Sequence, residues 1–320
     1  MVGAERGFHA TDATIPPPVN ILFASETEKA EFWLPLLEKA LPRDRFTSDV
    51  EGPIDIALIA SPAPGILEKL QHAKLIQSLW MGVERLLADP AYPRGVPLAR
   101  LIDPGMVAAM SEIVIAHLLD WHRHLYYYRS LQAEPRWKRV RQFLASDRTV
   151  GILGMGELGG DAARKLLALG FNVSGWTRRP RVFDGVQCFT DLEKMLPAVD
   201  ALVCLLPMTS RTKNILNAKT FAAMKPKGCV INLARGAHLV EKDLLAALDS
   251  GQLRHAYLDV FDTEPLPAGH AFWRHPGVTV TPHAAGLTEP RTAVAKIVEN
   301  VERVRRGETP LNLVDFAAGY

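Results

Sequence analysis

Apolar residues along this chain come in short runs, separated by stretches where they recur every third or fourth position. The runs at residues 20–23, 54–59, 75–79 and 98–101 are bounded by polar turns, the signature of buried strands. Strands that alternate with helical stretches predict a parallel sheet covered by helices. Between residues 103 and 128, Met106, Met110, Ile113, Val114, His117, Leu118 and Trp121 sit at helical spacing, which predicts one long helix separating two domains. A second series of runs follows at residues 149–153, 172–176, 201–206, 228–233, 255–260 and 278–281. Six such strands match a doubly wound dinucleotide-binding fold. The last periodic stretch, 290–306, carries Val294, Ile297, Val298, Val301 and Val304 on one face of a predicted helix.

Length agrees with this organisation, because 320 residues supply two domains at roughly 150 residues each. A hydrophobic content of 48% is enough to fill two cores. Lysine plus arginine (37) against aspartate plus glutamate (35) leaves a formal charge of +2, so there is no basic field to draw nucleic acid. No apolar stretch approaches the ~18 residues of a membrane-spanning helix, and the N-terminus lacks the layout of a secretory signal. The expectation is a soluble, cytoplasmic protein without a membrane or nucleic-acid partner. Cys188, Cys204 and Cys229 show no C-x-x-C spacing, which predicts free thiols in a reducing compartment and no metal site. Residues 1–18 end in Pro16-Pro17-Pro18 and carry too little apolar surface to order themselves, so they are expected to form a disordered leader.

Chemistry enters with Gly154-Met155-Gly156-Glu157-Leu158-Gly159, which follows the run at 149–153 and opens a helical stretch. In such a motif the first glycine permits a tight turn, the second lets backbone approach a pyrophosphate, and the third allows a helix to pack closely on a strand. The helix N-terminus then presents N–H groups to phosphate. A site that prefers NAD places an acid about 20 residues further on, at the end of the second strand. Here that strand ends in Trp176-Thr177-Arg178-Arg179, and no acid precedes Asp184. Two guanidinium groups and a hydroxyl can hold the extra phosphate of NADPH by charge-assisted hydrogen bonds. The alternative for these residues is a solvated basic loop.

Three further groups stand just past predicted strands: Arg235 in Asn232-Leu233-Ala234-Arg235-Gly236, Glu264 in Asp259-Val260-Phe261-Asp262-Thr263-Glu264-Pro265, and His283 in Thr281-Pro282-His283. Open parallel sheets bind ligands at the carboxyl ends of their strands, so three such groups in one nucleotide fold suggest a reaction centre.

In order and spacing these motifs resemble the D-isomer-specific 2-hydroxyacid dehydrogenases. Asn232 to His238, Leu244 to Gly251, Trp273-Arg274-His275-Pro276 and the final Gly319-Tyr320 bring the chain nearest to the glyoxylate/hydroxypyruvate reductase branch of the A type. The resemblance implies two doubly wound parallel-sheet domains flanking a cleft: a Rossmann cofactor domain over 102–285 and a discontinuous flavodoxin-like substrate domain over 19–101 and 286–320. It implies a substrate carboxylate held by the backbone around Met81, Gly82 and Val83 and by Arg235. The nicotinamide would lie near Leu206 and Pro207, with Ala234, Asp259 and His283 also on the cofactor. His283 would be the acid/base and Glu264 its partner, since a buried carboxylate beside an imidazole favours the charged form that donates a proton.

The implied reaction is NADPH-dependent reduction of glyoxylate and hydroxypyruvate by a homodimer, with NADH weaker and the helix at 103–128 and the arm carrying Trp137 at the dimer contact. Trp137 is read either as filling its own core or as reaching a partner's site, and Trp273-Arg274 either as lining the substrate mouth or as anchoring a loop. The short stretch after His283 is expected to leave no room for a regulatory domain. A short phosphoglycerate dehydrogenase, a D-lactate dehydrogenase and a dinucleotide-sensing scaffold remain the alternatives.

Overall fold

The computed structural model describes residues 17–319; most of the expected leader and Tyr320 lie outside the described residues. The chain forms two compact units. One comprises the described residues up to Leu79 together with Pro90–Leu101 and Val294–Leu313. Its elements are β1 (Asn20–Ser25), α1 (Ala30–Ala40), β2 (Arg45–Thr47), β3 (Ile56–Ala60), β4 (Leu75–Ser78) and β5 (Leu98–Ala99). The strands are all parallel in the order β2-β1-β3-β4-β5, which is the flavodoxin-like order. Every residue of β3 is buried, as a strand covered on both faces requires. The apolar-run pattern does not reveal β2, whose three residues carry a single apolar side chain.

The other unit comprises Trp80–Asp89, Ile102–Ala293 and the described residues from Val314 on. It therefore includes residues 80–89, 286–293 and 314–319, which the sequence division assigns to the substrate domain. It opens with α2 (Glu84–Ala88), α3 (Pro104–His122) and α4 (Leu125–Ala133). The single helix expected over 103–128 is thus two helices. His124 adopts left-handed backbone with φ of 58° between them, and no glycine or proline marks the break. Asp103, fully buried, caps α3 by accepting from the N–H groups of Gly105 and Met106. The same carboxylate accepts from the Glu289 N–H and the Thr292 hydroxyl, fixing the start of the last helix against α3.

Next come β6 (Thr149–Leu153), α5 (Glu157–Ala168), β7 (Asn172–Trp176), β8 (Val186–Phe189), α6 (Leu192–Met195), β9 (Ala201–Cys204), α7 (Ala218–Ala223), β10 (Gly228–Asn232), α8 (Glu241–Asp249), β11 (Leu253–Leu258) and β12 (Val278–Val280). All six expected strands are present, and β8 is added at the sheet edge. The parallel order β12-β11-β10-β9-β6-β7-β8 reverses direction between β6 and β9, the switch point where such sheets bind ligands. Side chains alternate across the sheet. Leu202, Val230 and Leu258 face a core built on Phe221, Leu244 and Leu248, while Val203, Cys229, Ile231 and Tyr257 face one built on Val114, Leu118, Ala162 and Leu166. Cys204 and Cys229 are buried free thiols, and burial pushes the Cys204 thiol up to about 12. Finally α9 (Pro290–Arg305) follows the predicted helix; in the first unit its Asn300 donates to Gln77 Oε1 at 2.7 Å, tying it to β4. Among the described residues no helix is long and apolar enough to cross a membrane.

On β11 His255 and Tyr257 build a largely buried aromatic stack: His117 on Tyr257 at 4.6 Å, and His255 between Tyr257 and Tyr126 at 4.7 and 4.4 Å. The Tyr257 hydroxyl donates to Asp120 at 2.6 Å. Burial pushes the His255 imidazole down to about 4, and lowers His117 as well. His255 is therefore neutral in the fold, whereas the unfolded chain takes up its proton below about 6.5. Stability contributed by this group is complete above that pH and is lost as pH falls toward 4. Urea melts between pH 7 and 4 should show a loss on the order of 3 kcal/mol from this residue, with a flatter profile in His255→Gln. A wild-type profile that stays flat over this range would contradict the burial argument.

Candidate active site

The loop after β6 follows from the glycines. Gly154 has φ of 100°, and a Cβ there would lie 2.8 Å from the Leu205 carbonyl oxygen. At Gly159 a Cβ would lie 2.0 Å from the Gly154 carbonyl oxygen, so α5 can approach the β6 turn only as glycine. Gly156 differs, because nothing lies within 4 Å of a Cβ placed there. Gly156 is also the N-cap of α5 and supplies no side-chain cap, so the first N–H groups of the helix have no cap from it. A cradle of this form fits a pyrophosphate. Met155 is buried, with Glu157 exposed and Leu158 half-buried.

At the end of β7, Trp176 is half-buried and Thr177 buried, with Arg178 and Arg179 exposed beyond them. The Thr177 hydroxyl, expected to meet phosphate, donates to the Arg179 carbonyl at 2.8 Å and shapes the basic loop instead. Its lone pairs still accept. At the end of β9, Pro207 offers its carbonyl to the Thr212 hydroxyl at 2.8 Å and to His238 Nε2 at 3.3 Å. The other ring nitrogen of His238 lies 3.2 Å from the Arg235 carbonyl, so one buried imidazole spans the β9 and β10 loops beside Leu206 and Ala234. Burial lowers the His238 pKa.

Arg235 follows β10. Its Nη1 donates to the Ala234 carbonyl at 2.7 Å and its Nη2 to Glu84 Oε2 at 3.2 Å. A Cβ at Gly82 would lie 1.9 Å from Nη2, so the guanidinium rests on the Met81-Gly82-Val83 backbone. Sequence reasoning named Arg235 and Gly82 but not Glu84, which stands 151 positions from its partner. The neighbouring Gly236 brings the β10 loop against β11's, since a Cβ there would lie 1.9 Å from the Phe261 carbonyl carbon.

From that loop Glu264 reaches His283. Glu264 Oε1 accepts from the Phe261 N–H at 2.9 Å, and Oε2 lies 2.8 Å from His283 Nδ1. Contrary to the sequence expectation the carboxylate is not buried: the side chains are 30% and 50% exposed. Two turns of loop at strand ends leave both groups at the surface of this unit. His283 has φ of 51°, a left-handed conformation that costs about 1–2 kcal/mol. Asp259 offsets it. Its carbonyl accepts the His283 N–H at 2.8 Å, and its carboxylate, 1% exposed, accepts from the Thr281 hydroxyl and the Ala284 and Ala285 N–H groups at 2.6, 2.9 and 3.0 Å. The Asp259 carboxylate, expected on the cofactor, is thus turned into the His283 loop. Trp273 donates to the Pro267 carbonyl at 3.0 Å, the anchoring alternative, and Trp137 is 95% exposed, so it does not fill its own core.

Known proteins resemble this chain over most of its length. Residues 115–285 match the model of the D-isomer specific 2-hydroxyacid dehydrogenase, NAD binding domain. Glyoxylate/hydroxypyruvate reductase A of Serratia proteamaculans is 43% identical over 313 residues, covering 94% of this chain and 100% of the relative. Two solved structures are similar at 36% identity. A D-isomer specific 2-hydroxyacid dehydrogenase of Xanthobacter autotrophicus Py2 in complex with NADPH and MES has a TM-score of 0.90 over 95% of this chain and 100% of that one. The NADPH-dependent glyoxylate/hydroxypyruvate reductase of Sinorhizobium meliloti in complex with NADP and sulfate has 0.87 over 94% and 100%.

The glycine geometry separates fold from binding. Gly156→Ala should melt within about 0.5–1 kcal/mol of wild type yet weaken dinucleotide binding by at least about tenfold. Gly159→Ala should instead lose several kcal/mol of stability, on the order of an overpacked core site. Equal effects of the two on melting and on calorimetric binding would refute the division of roles.

Proposed function

Because the chain belongs to the D-isomer specific 2-hydroxyacid dehydrogenase family, we propose that it reduces small 2-keto acids, glyoxylate and hydroxypyruvate foremost, with NADPH. The observation that carries the reading is the guanidinium of Arg235 seated on Gly82, linked through the Gly236 and Phe261 contact to the β11 loop, whose Glu264 holds His283 of the β12 loop. Bound at the Gly154–Gly159 cradle, the reduced cofactor supplies the hydride.

The chain's own residues do the rest. Arg235 grips the substrate carboxylate, with the N–H groups around Met81, Gly82 and Val83 at its other side. The planar fork fixes the acid's orientation and places positive charge near the carbonyl oxygen as it becomes an alkoxide. Glu264 takes the Nδ1–H of His283 and leaves Nε2 to deliver a proton to that oxygen. Arg178 and Arg179 hold the phosphate that distinguishes NADPH from NADH. The seven-stranded unit carries the cofactor and, through residues 80–89, the backbone assigned to the substrate carboxylate as well. The arm after α4, with Trp137 exposed beside Tyr128 and Leu131, is assigned to the contact with a second copy. Three free thiols suit a reducing compartment, and we place the reaction in the cytoplasm.

Cofactor choice gives the first test. Charge-assisted hydrogen bonds contribute about 1.5–3 kcal/mol each, so one such contact yields roughly tenfold to a hundredfold preference. NADPH should exceed NADH by at least this range in kcat/KM, and Arg178→Ala with Arg179→Ala should erase most of the gap by weakening NADPH alone. A double variant that keeps its preference would return the two arginines to a solvated loop.

Arg235→Lys gives the second. It keeps the charge but loses the fork, and should raise KM and lower kcat for glyoxylate together. Across substrates, glyoxylate and hydroxypyruvate should far exceed phenylpyruvate in kcat/KM. Near-wild-type kinetics for the lysine variant, or the reverse substrate ranking, would overturn the assignment.

A further inference from the structure

Arg235 shares its place with an acid. Glu84, the first residue of α2, puts Oε2 3.2 Å from Arg235 Nη2, and that oxygen would also lie 2.9 Å from a Cβ at Gly82. Both side chains therefore lie over the same glycine, and both are partly exposed. The other terminal nitrogen of Arg235 is held by the Ala234 carbonyl, so the guanidinium is oriented with two of its five donors engaged. A carboxylate this close to the grip has a chemical consequence. One carboxylate on the substrate is matched by the guanidinium, but a second anionic group a few bonds away meets Glu84, and like charges at such range repel. We propose that Glu84 is a specificity-determining residue that admits monoanionic 2-keto acids and rejects those bearing a second carboxylate or a phosphate. The proposal rests on the assignment of Arg235 to the substrate carboxylate. It assigns the rejection to charge, independent of substrate size.

The test compares oxaloacetate, a dianion, with its monoanionic amide 2-oxosuccinamate, which has nearly the same size and one charge fewer. Each is measured as a substrate with NADPH or, where turnover is slow, as an inhibitor of glyoxylate reduction. Wild type should favour the amide by about tenfold or more at low ionic strength, with the ratio shrinking as salt screens the repulsion. Glu84→Gln should move the ratio toward oxaloacetate by about tenfold, while Glu84→Asp, which keeps the charge, should move it much less. If wild type reduces glyoxylate but its ratio is insensitive to salt and unchanged in Glu84→Gln, the charge filter is overturned and the reaction stands. If wild type oxidises NADPH with no 2-keto acid, the reaction reading fails and the filter with it. Should Glu84→Gln not fold, the salt dependence of the wild-type ratio decides alone, and a flat ratio overturns the proposal.

Discussion

A parallel sheet covered by helices on both faces leaves charge nowhere to go except its strand ends, and this constraint organises the whole second unit. Every residue of β9 and β10 is buried. Their neighbours carry Gly154, Thr177, Pro207, Arg235, Asp259 and His283 just beyond the carboxyl ends of β6, β7, β9, β10, β11 and β12. Because β6 and β9 are adjacent but lead to opposite halves of the sheet, the turn after β6 stands at the switch point where such sheets bind ligands. The glycine motif lies at that turn.

Contacts among those loops convert a common edge into a site. Gly236 lets the β10 loop touch the β11 loop, Gly82 lets Arg235 lie on backbone, and His238 sits between the carbonyls of Pro207 and Arg235 with one N–H to donate. Asp259 holds the loop of His283 from beneath through four hydrogen bonds counting its carbonyl. Such internal fixing matters because a donor placed in advance costs no reorganisation when charge develops on the substrate. The groups proposed to act on substrate, Arg235, Glu264 and His283, remain partly exposed.

Much of this was legible from apolar runs, since strands buried on both faces read as continuous hydrophobic segments. The exceptions have physical reasons. β8 is an edge strand whose Val186-Gln187-Cys188-Phe189 carries a polar residue and is only partly buried, and the break at His124 occurs without a residue that usually causes one. Glycines were legible as a motif, but only coordinates separate Gly156, which faces space, from Gly159, which faces a carbonyl. Glu84 was invisible because its meaning depends on a partner far away in sequence, and the role of Asp259 beneath His283 depends on backbone N–H groups that no motif records.

The central claim is that Arg235 and His283 act on one small acid from the loops after β10 and β12, on either side of the β11 loop that carries Glu264. A crystal structure with NADP and oxamate, a carboxylate beside an amide carbonyl, tests it most directly. The account predicts the oxamate carboxylate within hydrogen-bond distance of the Arg235 guanidinium and its amide oxygen facing His283 Nε2. An oxamate whose carboxylate is held away from Arg235, or whose amide oxygen is out of reach of His283, would contradict it.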